Sequence, residues 1–351
     1  MTAPGAWMNA LQRGLCQWCT AAGSQVVRGV QVQRLRPRCP LLLTSGATPG
    51  PFYHSHPHVA SEFDHLRFDM ASQVWYNAET LRSIADSVSE AELPFAFSGR
   101  RDFARAPLLV HWVSNRGAGF AANARECEEA AASAFMEHGL DRAETLGLFE
   151  TGGNVSDRRF LLETFAMFGL HGEPLGPTAT TVRLELRSLF DSVDGATYTV
   201  GEKRYFMPYV PGYVVCGGAD LALFTVSAAS GEPTAPADGS LQVNAAVTKL
   251  CGVLSALGAT FDDVVLLWNR VENLDEHEDA VLMTRARRGL TRPLAEAVLE
   301  VAPSDPNGAA SDGSQVALEY IVAAQVPPRL PGRGVGAASE ASTPPPPPPT
   351  G

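Results

Sequence analysis

Leu257-Gly258-Ala259-Thr260-Phe261-Asp262-Asp263-Val264-Val265-Leu266-Leu267-Trp268 holds a helix stop, an acidic turn and the start of an apolar strand. Glycine just past a periodic helix is the usual stop signal. The five apolar residues that follow read as a buried strand. The same grammar occurs earlier, in His138-Gly139-Leu140-Asp141-Arg142-Ala143-Glu144-Thr145-Leu146-Gly147-Leu148-Phe149. Two copies of one local pattern in one chain suggest an internal duplication.

Working outward, the flanks follow the same order. Amphipathic helices are predicted over 121–137, on Ala124, Cys127, Ala131, Ala134 and Phe135, and over 241–257, on Val243, Val247, Leu250, Leu254 and Leu257. Strand pairs are expected before them, Phe95–Ser98 with Leu108–Val113 and Tyr213–Cys216 with Leu221–Ser227. Second helices near 156–170 and 275–289 precede the strands Thr181–Leu186 and Ala297–Val301, and closing strands fall at Ala196–Val200 and Val316–Ala323. The expected class is α+β, with two tandem β-β-α-β-α-β-β units, each a mixed sheet with two helices on one face.

That order, with its local patterns, resembles the Rid/YjgF family (endoribonuclease L-PSP-like, with the chorismate-mutase-like fold). In the second unit, Val214-Val215-Cys216-Gly217-Gly218 is similar to the family's early Ser-Gly strand, and Ala259 with Asp262-Asp263-Val264-Val265 to its turn and central strand. Asn273-Leu274-Asp275 resembles the entry to the second helix, and Gln315–Ala323 the closing strand. In the first unit, Phe97-Ser98-Gly99 and Pro177–Val182 resemble the Ser-Gly strand and the "PARTTV" segment. The resemblance implies trimer-like assembly, small-molecule pockets between neighbouring units and hydrolysis of enamines or imines, with no cofactor or metal. It also implies an Arg forking onto a substrate carboxylate, a Glu holding the attacking water and an Asn on the second helix.

This sequence departs from the pattern at those positions. The Arg slot of the first unit is Ala179; in the second it is Glu296 when anchored on Ala297–Val301, or Ala295 when anchored on Pro293. The functional position of the closing strand is Ala317, with Glu319 matching a second, outward-facing Glu, and the Asn position falls near Val281. Arg292 and Glu319 are the candidates for any remaining catalysis. Losing both anchor and water-holder removes a contact worth about 1.5–3 kcal/mol and acid–base assistance of roughly 10²–10⁴-fold. The expected function is therefore a catalytically degenerate binding or structural module. The alternative is a deaminase of the 2-iminobutanoate/2-iminopropanoate type, or a related hydrolase, with a displaced site.

Composition adds the surroundings. The 351 residues suggest two domains, and 45% hydrophobic against 19% charged is a globular balance. No apolar run approaches the length of a membrane span. Arg13, Arg28, Arg34, Arg36 and Arg38 precede the first acid, Glu62; an acid-free, arginine-bearing stretch reads as a mitochondrial presequence. Without these five arginines the net charge of −11 becomes −16, which disfavours nucleic-acid binding by the folded part. The arginines Arg285, Arg287, Arg288 and Arg292 read as a solvated helix face or a contact surface for an acidic partner or RNA. Cys16-Gln17-Trp18-Cys19 lacks the second half of a zinc site, the trio His54, His56, His58 sits among Gly50, Pro51 and Pro57 in what reads as linker, and His111 reads as a packed core histidine. Expected partners are proteins, including further copies of the chain, with a small carboxylate as an open ligand class. The expected boundaries are a leader over 1–60, units over 61–201 and 202–326, and a proline-rich tail over 327–351, which carries Pro344–Pro349.

Overall fold

A computed structural model describes residues 6–49, 69–90, 107–115, 117–140, 142–151, 161–170, 179–185, 192–194, 197–200, 203–206, 212–228, 239–271, 284, 287–290, 295–300 and 318–327. The chain opens with helix α1 (Ala6–Cys16) and strands β1 (Cys19–Val27), β2 (Val30–Pro37) and β3 (Leu41–Thr44). Then come α2 (Met70–Glu90), β4 (Leu108–Ser114), α3 (Phe120–Glu137), β5 (Glu144–Thr151) and β6 (Leu162–Gly169). After β7 (Thr180–Glu185) lie β8 (Ser192–Asp194), β9 (Thr197–Val200) and β10 (Lys203–Phe206), a small sheet of their own. The last stretch holds β11 (Gly212–Gly217), β12 (Asp220–Ser227), α4 (Gly239–Ala256), β13 (Val264–Val271), β14 (Glu296–Glu300) and β15 (Leu318–Val326).

Two six-stranded mixed sheets carry the fold. Their orders are β5-β4-β6-β3-β11-β7 and β14-β13-β15-β12-β2-β1. Position by position, the pairing sense is the same: β4–β5 and β13–β14 are parallel, and every other ladder in the two sheets is antiparallel. The α+β class and the duplicated unit are thus present. The sheets face each other across a core that includes Trp112, Phe149, Phe165, Trp268, Leu299 and Ile321. Trp268 packs edge-on against Phe165 (4.8 Å) and Trp112 (5.9 Å), so the two halves meet ring to ring. The outer faces are covered by α2 and α3 on one side and by α4 on the other.

The expected 1–60 leader is corrected over the residues described. Trp7, Ala10, Leu11 and Leu15 recur at helical spacing and are buried in the inter-sheet core. Gly14 lets α1 lie flush on the sheet: a Cβ there would stand 2.6 Å from both Leu146 and Met167. The arginines taken as an address are held by distant partners. Arg36 forks onto the buried Asp220 at 2.8 and 3.3 Å, Arg34 lies 3.8 Å from the same carboxylate, and Arg13 reaches the Leu146 carbonyl at 3.3 Å. A stretch without acids reads as basic only when its counter-charge is sought nearby; here it comes from β12.

The boundary at 201/202 is also corrected. Strands β1 and β2 complete the sheet of β12–β15, while β7 and β11 complete the sheet of β3–β6. The tail beyond Pro327 and residues 50–60 lie outside the described residues.

The repeat itself shifts by one step. Both quoted stretches do end helices at a left-handed glycine, Gly139 (φ 73°) and Gly258 (φ 77°), with Leu140 N–H bonding Phe135 O and Ala259 N–H bonding Leu254 O. Yet β5 occupies the sheet edge and β13 an inner position, so the true counterparts are β4 with β13 and β5 with β14. Helix α2 is then the partner of α4, where the sequence reading placed no helix. Leu162–Gly169, expected within a helix, is the strand β6, and Thr197–Val200 joins the small sheet rather than closing a unit. Phe95–Ser98 lies outside the described residues.

Candidate functional site

Strand alternation decides what the expected site residues can do. On β14, Ala295, Ala297 and Leu299 face the inter-sheet core, which turns Glu296 to the helix-covered side. There its Oε1 accepts a 2.9 Å hydrogen bond from Asn269 Nδ2, which also bonds the Ala297 carbonyl at 2.9 Å. On β15, Ile321 and Ala323 face the inter-sheet core, whereas Tyr320, Val322 and Ala324 pack on the α4 side. Glu319 therefore shares the inter-sheet face at the end of the strand, which corrects the outward orientation expected for it. Glu296 and Glu319 lie on opposite faces of one sheet and do not converge.

Glu319 instead belongs to a cluster that the sequence reading missed. Its register partner on β13 is Arg270, and the two side chains form an ion pair, 22% and 29% exposed. The Arg270 guanidinium carbon sits 5.4 Å from the Trp7 ring centroid, a cation–π geometry. Burial pushes the Glu319 carboxyl above its ordinary range, and the Arg270 charge opposes that rise. Arg270 Nε and Trp7 Nε1 are buried donors without a hydrogen-bond partner. Chemically, the cluster is a half-buried carboxylate held by an arginine on an aromatic wall. It joins α1 to the second sheet. A lone arginine in the apolar run of β13 was the available signal; Trp7 was masked by its place in a supposed leader.

Ala179 is exposed and precedes β7, a sheet-edge strand whose counterpart is β1. The strand corresponding to β14 is β5, so Ala179 and Glu296 are not equivalent positions of the two sheets. Matching Trp112 to Trp268 through their parallel partners, Phe149 and Ala297, sets Leu148 against Glu296. Arg292, Ala317 and Val281 lie outside the described residues. Arg288 docks on α4, with Nη2 donating to Thr248 Oγ1 at 2.8 Å and to Asn244 Oδ1.

On the other side of the molecule, His111 is fully buried, its Nδ1 2.9 Å from Thr164 Oγ1, which also accepts from Asn77 Nδ2 at 2.9 Å. Burial lowers its pKa to about 4. The thiol of Cys19 is buried and pushed far above its ordinary value by that burial, and Cys16 is exposed.

No protein-family model and no curated protein sequence matches the chain. The solved structures similar to it include the YjgF gene product of E. coli, at 21% identity over 30% of this chain and 80% of that one, TM-score 0.25. TdcF of E. coli with bound serine is 17% identical over 31% of this chain and 81% of that one, TM-score 0.25. A YjgF/YER057c/UK114 family member from Mycobacterium tuberculosis is 19% identical over 42% of this chain and all of that one, TM-score 0.24. The chain is thus similar, at a distant level, to Rid/YjgF-type proteins. The duplicated fold is argued from its own two sheets.

Proposed function

We propose that the protein is a Rid-like module whose catalytic site has degenerated, and that it serves in binding or scaffolding within mitochondria, as part of a larger assembly. The observation that supports this reading is that both carboxylates are engaged within the fold, Glu296 by Asn269 and Glu319 by Arg270. The Arg270 guanidinium occupies the Glu319 carboxylate, leaving less of it to orient a water. Purified full-length protein given freshly generated 2-aminoacrylate is expected to show no turnover above buffer. Turnover lost in Arg292→Ala or Glu319→Gln would overturn the reading.

A second reading, an imine hydrolase with a displaced site, draws support from the raised Glu319 carboxyl, a property useful to a general acid. Mitochondrial location is part of the first proposal. Because residues 6–49 supply buried core, the basic stretch is read as an address retained after import. The N-terminus of the protein recovered from mitochondria is expected before Trp7, and a start beyond Leu15 contradicts retention. Self-association into a ring or pseudo-hexamer is the assembly proposed; a mass of one chain by light scattering would count against it. Among the described residues no helix is long and apolar enough to cross a membrane.

A further inference from the structure

The chain divides into two halves, Ala6–Leu170 and Ala179–Pro327, that trade strands. In each half a strand pair comes first (β1–β2, β7–β11), followed by the strand that leads into the helices (β3, β12). Each pair lies in the other half's sheet: β2 pairs with β12, and β11 with β3. The same two sheets would arise without exchange if β2 folded back on β3 and β11 on β12, since the two orders and pairing senses are identical.

The connections differ in what they permit. Gly218-Ala219 joins β11 to β12, and a two-residue loop with glycine first suits a tight hairpin; Gly218 has φ 82°. Arg38-Cys39-Pro40 joins β2 to β3. A three-residue hairpin loop closes through a left-handed residue before the returning strand, and proline cannot adopt positive φ. Pro40 is buried, and its carbonyl accepts the Leu170 N–H at 2.8 Å, one rung beyond the β3–β6 ladder, so the residue is already committed to β3. Exchange is reciprocal: once β2 leaves β3, only β11 is left to cover that edge, and β12 gains β2. Short hinge connections that resist closure favour strand exchange. Asp220 then seals the crossing through Arg36 and Arg34.

We propose that Pro40 is the residue that commits the two halves to reciprocal strand exchange, so that neither half completes its sheet alone. The test uses the full chain with a protease site inserted between Leu170 and Ala179. Gln33→Cys and Leu223→Cys, register partners across β2 and β12, form the reporter. The protein is refolded from denaturant, oxidised with glutathione disulfide, cleaved, and run on a denaturing gel without reductant. The expected result is one species of full-length mass that falls to two fragments when reduced. Converting the connection to an Asn-Gly turn with Cys39→Asn and Pro40→Gly is expected to lower the cross-linked share by about twofold or more. Fragments that separate without reductant would overturn the exchange, and an unchanged share in the turn variant would overturn the role of Pro40. Leu43→Cys with Val214→Cys, partners across β3 and β11, asks the same of the other sheet should the first pair disturb folding.

Discussion

At the residue scale, His111 and Asp220 make the clearest demands. His111 has a folded pKa near 4, below the roughly 6.5 of an unfolded histidine. The unfolded state binds more protons between those values, so its contribution is complete above about pH 6.5 and is lost as pH falls toward 4. Denaturation midpoints across that window are expected to drop with falling pH, and His111→Gln should flatten the slope. Asp220 is buried, and among the described residues its ion pairs are with Arg34 and Arg36 of the N-terminal hairpin. Asp220→Ala is expected to destabilise by about 1–3 kcal/mol, the cost of leaving a buried hydrogen-bonding group without its partner, read as a lower urea midpoint. Neither pairing was legible in sequence, because the partners of Asp220 stand far back in a stretch that looked like a leader. His111 was legible as a packed histidine, since it sits beside Trp112 in an apolar strand.

At the element scale, the helices α3 and α4 and the strands β13 and β15 were readable from periodicity and from their glycine stops. What failed was the distinction between one αβ corner and the next. Each corner uses the same stop, turn and strand, so Gly139 was matched to Gly258 although β5 and β13 hold different sheet positions. Strand β6 is buried along nearly its whole length on both faces, which removes the alternation that marks a strand and leaves an apolar run that also fits a helix. Helix α1 shows its apolar stripe in sequence, yet that stripe serves a presequence equally well. Its role in the core has a direct check: Leu11, fully buried against the sheets, is expected to cost about 2–5 kcal/mol as Leu11→Ala. A removable leader would leave the unfolding midpoint unmoved.

At the scale of the whole molecule, duplication was visible in the sequence but interlocking was not. Exchange leaves every strand's local pattern intact and changes only which sheet it joins, so periodicity carries no trace of it. The pleat settles what periodicity alone left open: Glu296 and Glu319 stand on opposite faces of one sheet. A fragment spanning 202–326 lacks β1 and β2 and the facing sheet, so the inner face of β12–β15 would stand bare. Expressed alone, it is expected to show no cooperative thermal transition, whereas the full chain should unfold in one.

Amide hydrogen exchange on the full-length chain, followed by mass spectrometry, tests most directly the central claim that the N-terminal strands belong to the folded core. Peptides from β2 and β3 are expected to be protected as strongly as those from their partners β12 and β11, because protection follows the ladder each amide belongs to. Exchange of residues 30–44 at the rate of an unstructured chain, beside a protected β12, would contradict it.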